Sequence, residues 1–530
     1  MWMCNGTRVA VVRNRVLRRV VGATRGKTQE GFSTIEILIA FSVGILFLSS
    51  AMMVAFSGGT LTKQIALDSS HAIAYDVALD SDGLNHATDA LAHHTASLAH
   101  TWHAPLIPSS ETLGSVVYDT TPVVQDISPC MKELTADLSW SSLQSRDHHI
   151  TFGTALSNMN VAKAFGPSGC DPLPPGTWDS PEKMVSGISL LNTTVRDIAV
   201  IHEAGKRIAV LGATASTPLQ DDVYLYDVSD PTHSITLLGS LDTGNGILAV
   251  AYVHPYLFAL QDTSTNQLQV IRLFDTTKAT TDPLYFVPKV IQLVTLKNVA
   301  GAYPEGRSIA YYDGYVYIGT WNNNFPVYSP EFLIYDVSDP ENPVHAGAYN
   351  LSHSVNSIMV QESYAYLATT DNSGELTIMD VSNPASPTIK GKFDIPGSTA
   401  DAEDVYVLGG KTYMGLARNA GKNELLVIES STPENPMLLG GINLGLKSST
   451  KVTGIEVRGK YAFVGADMSP GEFRVLDIAD PAHILTEACS PYALGVKIQD
   501  LQYADGYLFI ANQGDTGFHI LYDTLGNTCN

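Results

Sequence analysis

Glu36 is the residue with the clearest chemistry to perform. It opens an apolar run, ILIAFSVGILFLSSAMMVAF (37–56), and residues 1–31 before it hold seven Lys/Arg against the single acid Glu30. A carboxylate at mid-bilayer costs about 2.5–3.5 kcal/mol, so an opposite charge must meet it. The chemistry is charge neutralisation inside a dry helical bundle, where two opposite charges satisfy each other and either alone does not. Other reactive types are scattered. Cys130, Cys170, Cys489 and Cys529 remain if Cys4 leaves with a cleaved leader, and an even number in an exported chain favours disulfides. Three pairings are open; Cys130–Cys170 with Cys489–Cys529 is the most local. His93, His94, His100 and His103, with His148 and His149 further on, lack the three- or four-residue spacing and the acid or thiol partners of a metal helix. They read as a solvated face, and no metal or cofactor is expected.

The element that must carry Glu36 is a membrane helix. An apolar run of about 20 residues spans roughly 30 Å, and the basic flank keeps its start cytoplasmic and the remainder exported. A secretory signal would have a shorter core and a cleavage site after it. Here Gly31-Phe32 precedes the run and Glu36 stands fifth from Phe32. This arrangement resembles the class III signal of type IV pilins and pseudopilins. The resemblance implies cleavage after Gly31 by a prepilin peptidase, methylation of Phe32, and pairing of Glu36 with the amino terminus of a neighbouring pilin subunit. It also implies passage from the inner membrane to the cell surface or pilus. A plain signal anchor is the other reading of the same residues.

Residues 32–104 are expected to form that helix and its amphipathic continuation, loosened at Ser57-Gly58-Gly59 and interrupted near Asp82-Gly83. Residues 105–185 are expected to hold a small pilin-like β-region, with two strands within 133–160 around a polar turn at 144–147, and then a Pro/Gly-rich linker at 166–181. Removing the leader leaves 24 bases against 52 acids, a net charge of −28. Such a surface repels nucleic acid, which is not expected as a partner.

From residue 186 to 530 the chain repeats. One half of the unit is a strand pair around a tight turn, as in SIAYYDGYVYIGT (308–320) and DLQYADGYLFIAN (500–512). The other half is an apolar strand ending in an acid and a turn, as in VYLYDVSDP (223–231), FLIYDVSDP (332–340) and LTIMDVSNP (376–384). The acid recurs at Asp227, Asp275, Asp336, Asp380, Glu429, Asp477 and Asp523, with gaps of 48, 61, 44, 49, 48 and 46 residues. That spacing suits four-stranded antiparallel blades. The phrase resembles LVIVD-type repeats, which implies a β-propeller, here of about seven blades. The fold class is therefore mainly β, with a long pilin-type helix and a small α+β region ahead of the propeller. The recurrent acids read as turn-formers that accept backbone N–H bonds, with a ring of catalytic or calcium-binding carboxylates as the sharper alternative. The last unit lacks a strand, which 188–194 is expected to supply, closing the ring.

No G-x-S-x-G, H-E-x-x-H, C-x-x-C, phosphate loop or full calcium loop occurs. Asp262–Asn266 reads as a polar hairpin turn. The loop 320–330 brings Trp321, Asn323, Phe325 and Tyr328 together, a composition suited to a protein or glycan ligand. The expected function is a minor or tip pilin-like protein displaying a propeller for adhesion or recognition, not an enzyme. A secretion pseudopilin that contacts substrate and a membrane-tethered propeller enzyme acting on glycans are the alternatives.

Overall fold

The computed structural model describes residues 109–113, 116–128, 131–141, 147–157, 178, 181–183 and 190. It also describes 193–523, apart from 216–219, 233, 264, 297–303, 322–329, 420, 469–471, 487–492 and 515–516. Gly31, Phe32, Glu36, the helix expected over 32–104, the histidines at 93–103 and all four cysteines lie outside the described residues. Among the described residues no helix is long and apolar enough to cross a membrane.

Two compact units divide the chain. The first carries a four-stranded antiparallel meander, Ser109–Leu113, Val116–Ser128, Met131–Ser141 and Asp147–Ser157. Its last two strands are the pair expected over 133–160, in unbroken register from Met131↔Ser157 to Ser141↔Asp147.

The second unit is built of repeated four-stranded antiparallel sheets. Five stand as separate sheets between Ile247 and Thr486, and one eight-stranded sheet contains two further sets. Counted whole, the large sheet makes six blades. Divided at the single Gln513↔Thr194 bridge that joins its two sets, it makes seven, numbered 1 to 7 in chain order from Thr193. Their innermost strands are Thr193–Glu203, Ile247–Val253, Gly306–Tyr312, Val355–Gln361, Ala402–Leu408, Val452–Arg458 and Lys497–Ala504. Each lies beside the next, and the seventh lies beside the first.

The repeat pattern produces this directly. Tight turns with positive φ join first and second strands, as at Asp313-Gly314 and Asp505-Gly506, the geometry that right-twisted hairpins favour. Second and third strands such as Tyr315–Thr320 and Phe332–Asp336 are almost wholly buried between neighbouring sheets, which is why they read as continuous apolar runs.

Closure differs from the expectation. Pro181–Lys183 supplies the fourth strand of blade 7, pairing with Leu521, Tyr522 and Asp523. Of the segment 188–194, Thr193 and Thr194 belong to the innermost strand of blade 1. The sequence misleads because PEK carries no strand signature, whereas ISLLNTT does. Trp178, in the stretch read as linker, is fully buried and packs edge-on to Phe463 with ring centroids 4.8 Å apart, between blades 6 and 7.

Candidate functional site

Five of the seven recurrent acids end their third strands, while Asp227 lies within Val223–Asp230 and Asp275 three residues beyond Leu268–Arg272. Asp336 Oδ1 accepts from Ser338 N at 2.9 Å and Ser338 Oγ at 2.7 Å; Asp227, Asp275 and Asp380 make the same pair of bonds with Ser229, Thr277 and Ser382. Glu429 accepts from Ser431 N and Asp477 from Ala479 N, and Asp523 closes the third strand of blade 7. The six acids that make these bonds are turn-formers. Hydrogen bonds from Ser338 hold the Asp336 carboxyl below its ordinary value. The turn that follows closes from Asn342 N to Asp339 O at 3.0 Å with Pro340 between, a Pro position suited to type I turns. Asp262–Asn266 is the expected hairpin turn, Gln261 N donating to Gln267 O at 2.7 Å. No group of three or more metal-ligating side chains occurs among the described residues.

Side chains that converge come from a position the sequence reading missed. In every innermost strand the register with the second strand slips by one residue at the same place: between Val195 and Asp197, Ile247 and Ala249, Gly306 and Ser308, Val355 and Ser357, Ala402 and Asp404, Val452 and Gly454, and Ile498 and Asp500. A bulge leaves one residue unpaired and re-aims its side chain. The seven extra residues are Arg196, Leu248, Arg307, Asn356, Glu403, Thr453 and Gln499, and all line one cavity of about 450 Å³ at the mouth of the channel that the innermost strands enclose.

In blades 1, 5 and 7 the residue after the bulge is an aspartate that ties neighbouring blades together. Asp197 Oδ2 accepts from Val250 N of blade 2 at 2.6 Å, Asp404 Oδ2 from Ile455 N of blade 6 at 2.7 Å, and Asp500 Oδ2 from Ile198 N of blade 1 at 3.3 Å. Burial pushes Asp404 up to about 7. Burial also raises Asp197. Asp500 rises well above the carboxylate range by burial first, then by the Asp197 charge and the hydrogen bond between them.

A second repeated acid, also missed, stands just before the third strand in five of the seven blades. Asp222, Glu331, Glu375, Glu424 and Glu472 are buried, with buried Gln267 in the same place in blade 2. Each accepts a backbone N–H from the connection to the next blade: Glu331 from Leu351 at 2.8 Å, Glu375 from Ile395 at 2.9 Å, Glu424 from Leu444 at 2.7 Å, and Gln267 from Leu296 at 3.0 Å. These connections lead straight into the bulges, so the acids set the frame of the cavity mouth.

Among the cations on the wall, Arg196 donates to Gln499 Oε1 at 2.9 Å and Lys451 pairs with Glu403 Oε2 at 2.7 Å. The Arg307 guanidinium lies 4.2 Å from the ring centroid of Trp321, whose backbone N–H bonds Glu305 O at 2.9 Å. The loop singled out in the sequence thus begins at the cavity: Trp321 lines it, while Asn323, Phe325 and Tyr328 lie outside the described residues.

Residues 305–351, 353–395 and 450–489 match the LVIVD repeat family, which covers the strands of blades 3, 4 and 6. The unit is thus a β-propeller carrying LVIVD repeats. A solved structure described as YCF48 bound to D1 peptide is similar to it at 11% sequence identity and a TM-score of 0.43, over 66% of this chain and 99% of the other. No curated protein matches the sequence.

Proposed function

We propose that this chain is a minor or tip pilin-like surface protein whose seven-bladed propeller recognises a ligand at the mouth of its channel. The carrying observation is the bulge position. Positions that pack blade on blade repeat in kind, as the turn acids and the buried acids before the third strands do. The bulge presents two arginines, a leucine, an asparagine, a glutamate, a threonine and a glutamine on one repeated backbone, at a cavity. A ring of equal geometry with unequal chemistry suits an asymmetric ligand, protein or glycan. The role is binding rather than catalysis, because the buried carboxyls of Asp197, Asp404 and Asp500 are engaged with backbone N–H groups of neighbouring blades.

Assembly rests on Gly31, Phe32 and Glu36: processing by a prepilin peptidase, then packing against other pilin subunits. Mass spectrometry of the mature chain tests this, with methylated Phe32 as the expected amino terminus. An intact leader would remove the assembly reading. Recognition is tested separately. Cells displaying Trp321→Ala with Arg307→Ala should assemble the protein normally yet lose adhesion that depends on it, and unchanged adhesion would move the binding face elsewhere.

A further inference from the structure

We propose that the ligand of the channel mouth is a carboxylate-bearing sugar, its carboxylate held by Arg307 and its ring lying against Trp321. This rests on the recognition reading above and names the ligand class for it.

Arg307 is the starting point. Among the described residues nothing hydrogen-bonds or ion-pairs with its guanidinium, whereas the other two cations of the wall are engaged. Glu403 and Asp401 act on it only as charges at longer range, and burial lowers its pKa from the ordinary value. Five N–H donors in a planar fork, half-buried beside an indole, complement a planar carboxylate.

Asn356, on the adjacent blade, is fixed in the wall, its Nδ2 donating to Ala402 O at 2.7 Å. The site therefore offers the donor fork of Arg307, with carboxylate acceptors elsewhere in the wall at Asp262 and Glu305. A sugar acid presents a carboxylate with ring hydroxyls close by. Trp321 is 43% exposed and its indole gives a flat surface for the apolar face of a pyranose. The rest of the wall carries Ser357, Thr453 and Gln499 together with the carboxylates of Asp262 and Glu305, which can accept from sugar hydroxyls, so the unpaired Arg307 fixes where a ligand carboxylate can sit. The volume, about 450 Å³, falls within the ~300–1,000 Å³ of small-ligand pockets.

The test is calorimetry on the full-length chain in detergent. The probes are disaccharides ending in glucuronic, galacturonic or N-acetylneuraminic acid, the methyl ester of each, a glucose-terminated control, and the peptide Gly-Gly-Glu. At least one acid should bind about 10- to 100-fold more tightly than its ester and the neutral control, the range expected for charged hydrogen bonds. Arg307→Ala should abolish that difference, and Trp321→Ala should weaken acid and neutral sugar by the same factor. The ester comparison uses the native chain, so a variant that fails to fold leaves the test intact. Equal binding of acid, ester and control, tighter binding of the peptide, or no sugar bound at millimolar concentration would each overturn the proposal. If those results come with adhesion still lost in the Trp321 and Arg307 variants, the recognition reading stands without this ligand. Adhesion unaffected by both variants removes that reading as well.

Discussion

Gly391, in the outer strand of blade 4, lies against the carbonyl of Pro433 in blade 5 so closely that a Cβ at 391 would stand 2.0 Å from that oxygen. The same relation joins Gly347 to Pro384 and Gly440 to Pro481. In each case the turn after the third strand offers its proline carbonyl to the outer strand of the preceding blade. Blade 2 has no such proline. Its 3-10 helix, Pro283–Phe286, brings the Phe286 carbonyl to the equivalent place against Gly239. The irregular insertion thus preserves the contact that the regular turns make.

Gly391→Ala should therefore destabilise the propeller by about 1–3 kcal/mol, the usual penalty for forcing an extra carbon into a packed contact. Urea denaturation of the full chain reads it as a lower midpoint with unchanged slope. An unchanged midpoint would mean the blades slide apart at no cost.

Glu375 has a different task, holding the Ile395 N–H of the crossover into blade 5 at 2.9 Å from a fully buried position. Glu375→Ala leaves that N–H without an acceptor and should cost about 1–3 kcal/mol. Glu375→Gln keeps an acceptor and should recover most of the loss, more so at pH 7 than at pH 4. Burial raises the Glu375 pKa, so the native carboxyl contributes most below its unfolded pKa and loses that contribution as pH rises through the folded value. Equal tolerance of Ala and Gln would show the bond to be idle.

Asp404 gives the sharper pH signature. Its carboxyl, pushed up to about 7 by burial, stabilises the fold when protonated. That contribution is complete below the unfolded pKa of about 3.9 and disappears as pH rises through about 7. Asn remains neutral throughout, accepts from Ile455 N and can donate to Ser357 Oγ. Asp404→Asn should match the native chain near pH 4 and exceed its stability by roughly 2–4 kcal/mol at pH 8. A difference that stays constant from pH 4 to 8 would sink the assignment.

The legible parts of the chain were those whose chemistry repeats. A turn acid works as Asp or Glu with Ser, Thr or Ala two residues on, so Asp227 to Asp523 stand out in one sequence, as do the Asp-Gly hairpins. Buried acids before the third strands were hidden by their own variety: Asp222, four glutamates and Gln267 do one job with different reach. The bulge column was hidden for the reverse reason. Arg196, Leu248, Arg307, Asn356, Glu403, Thr453 and Gln499 share a backbone irregularity but no single chemistry. Aligning the repeats on their hairpins would place all seven in one column of the innermost strands. Ring closure was illegible because three residues of backbone pairing at Pro181–Lys183 demand no side-chain pattern.

That short strand suggests where the ring opens first. Blade 7 takes its outer edge from chain that precedes blade 1, and Trp178, three residues upstream, is packed among Phe463, Tyr503 and their neighbours. Pairing over only Lys183, Glu182 and Pro181 is a weak closure by itself, so the indole supplies most of the hold. Trp178→Ala should cost about 3–5 kcal/mol, as large aromatic truncations in cores do. Local opening should then appear as amide exchange that accelerates along Phe518–Asp523 far more than along Leu425–Glu429 of blade 5. Trp178→Phe should restore most of the protection. Exchange rising equally in both strands would show that Trp178 supports the whole propeller and that blade 7 is no more easily opened than the rest.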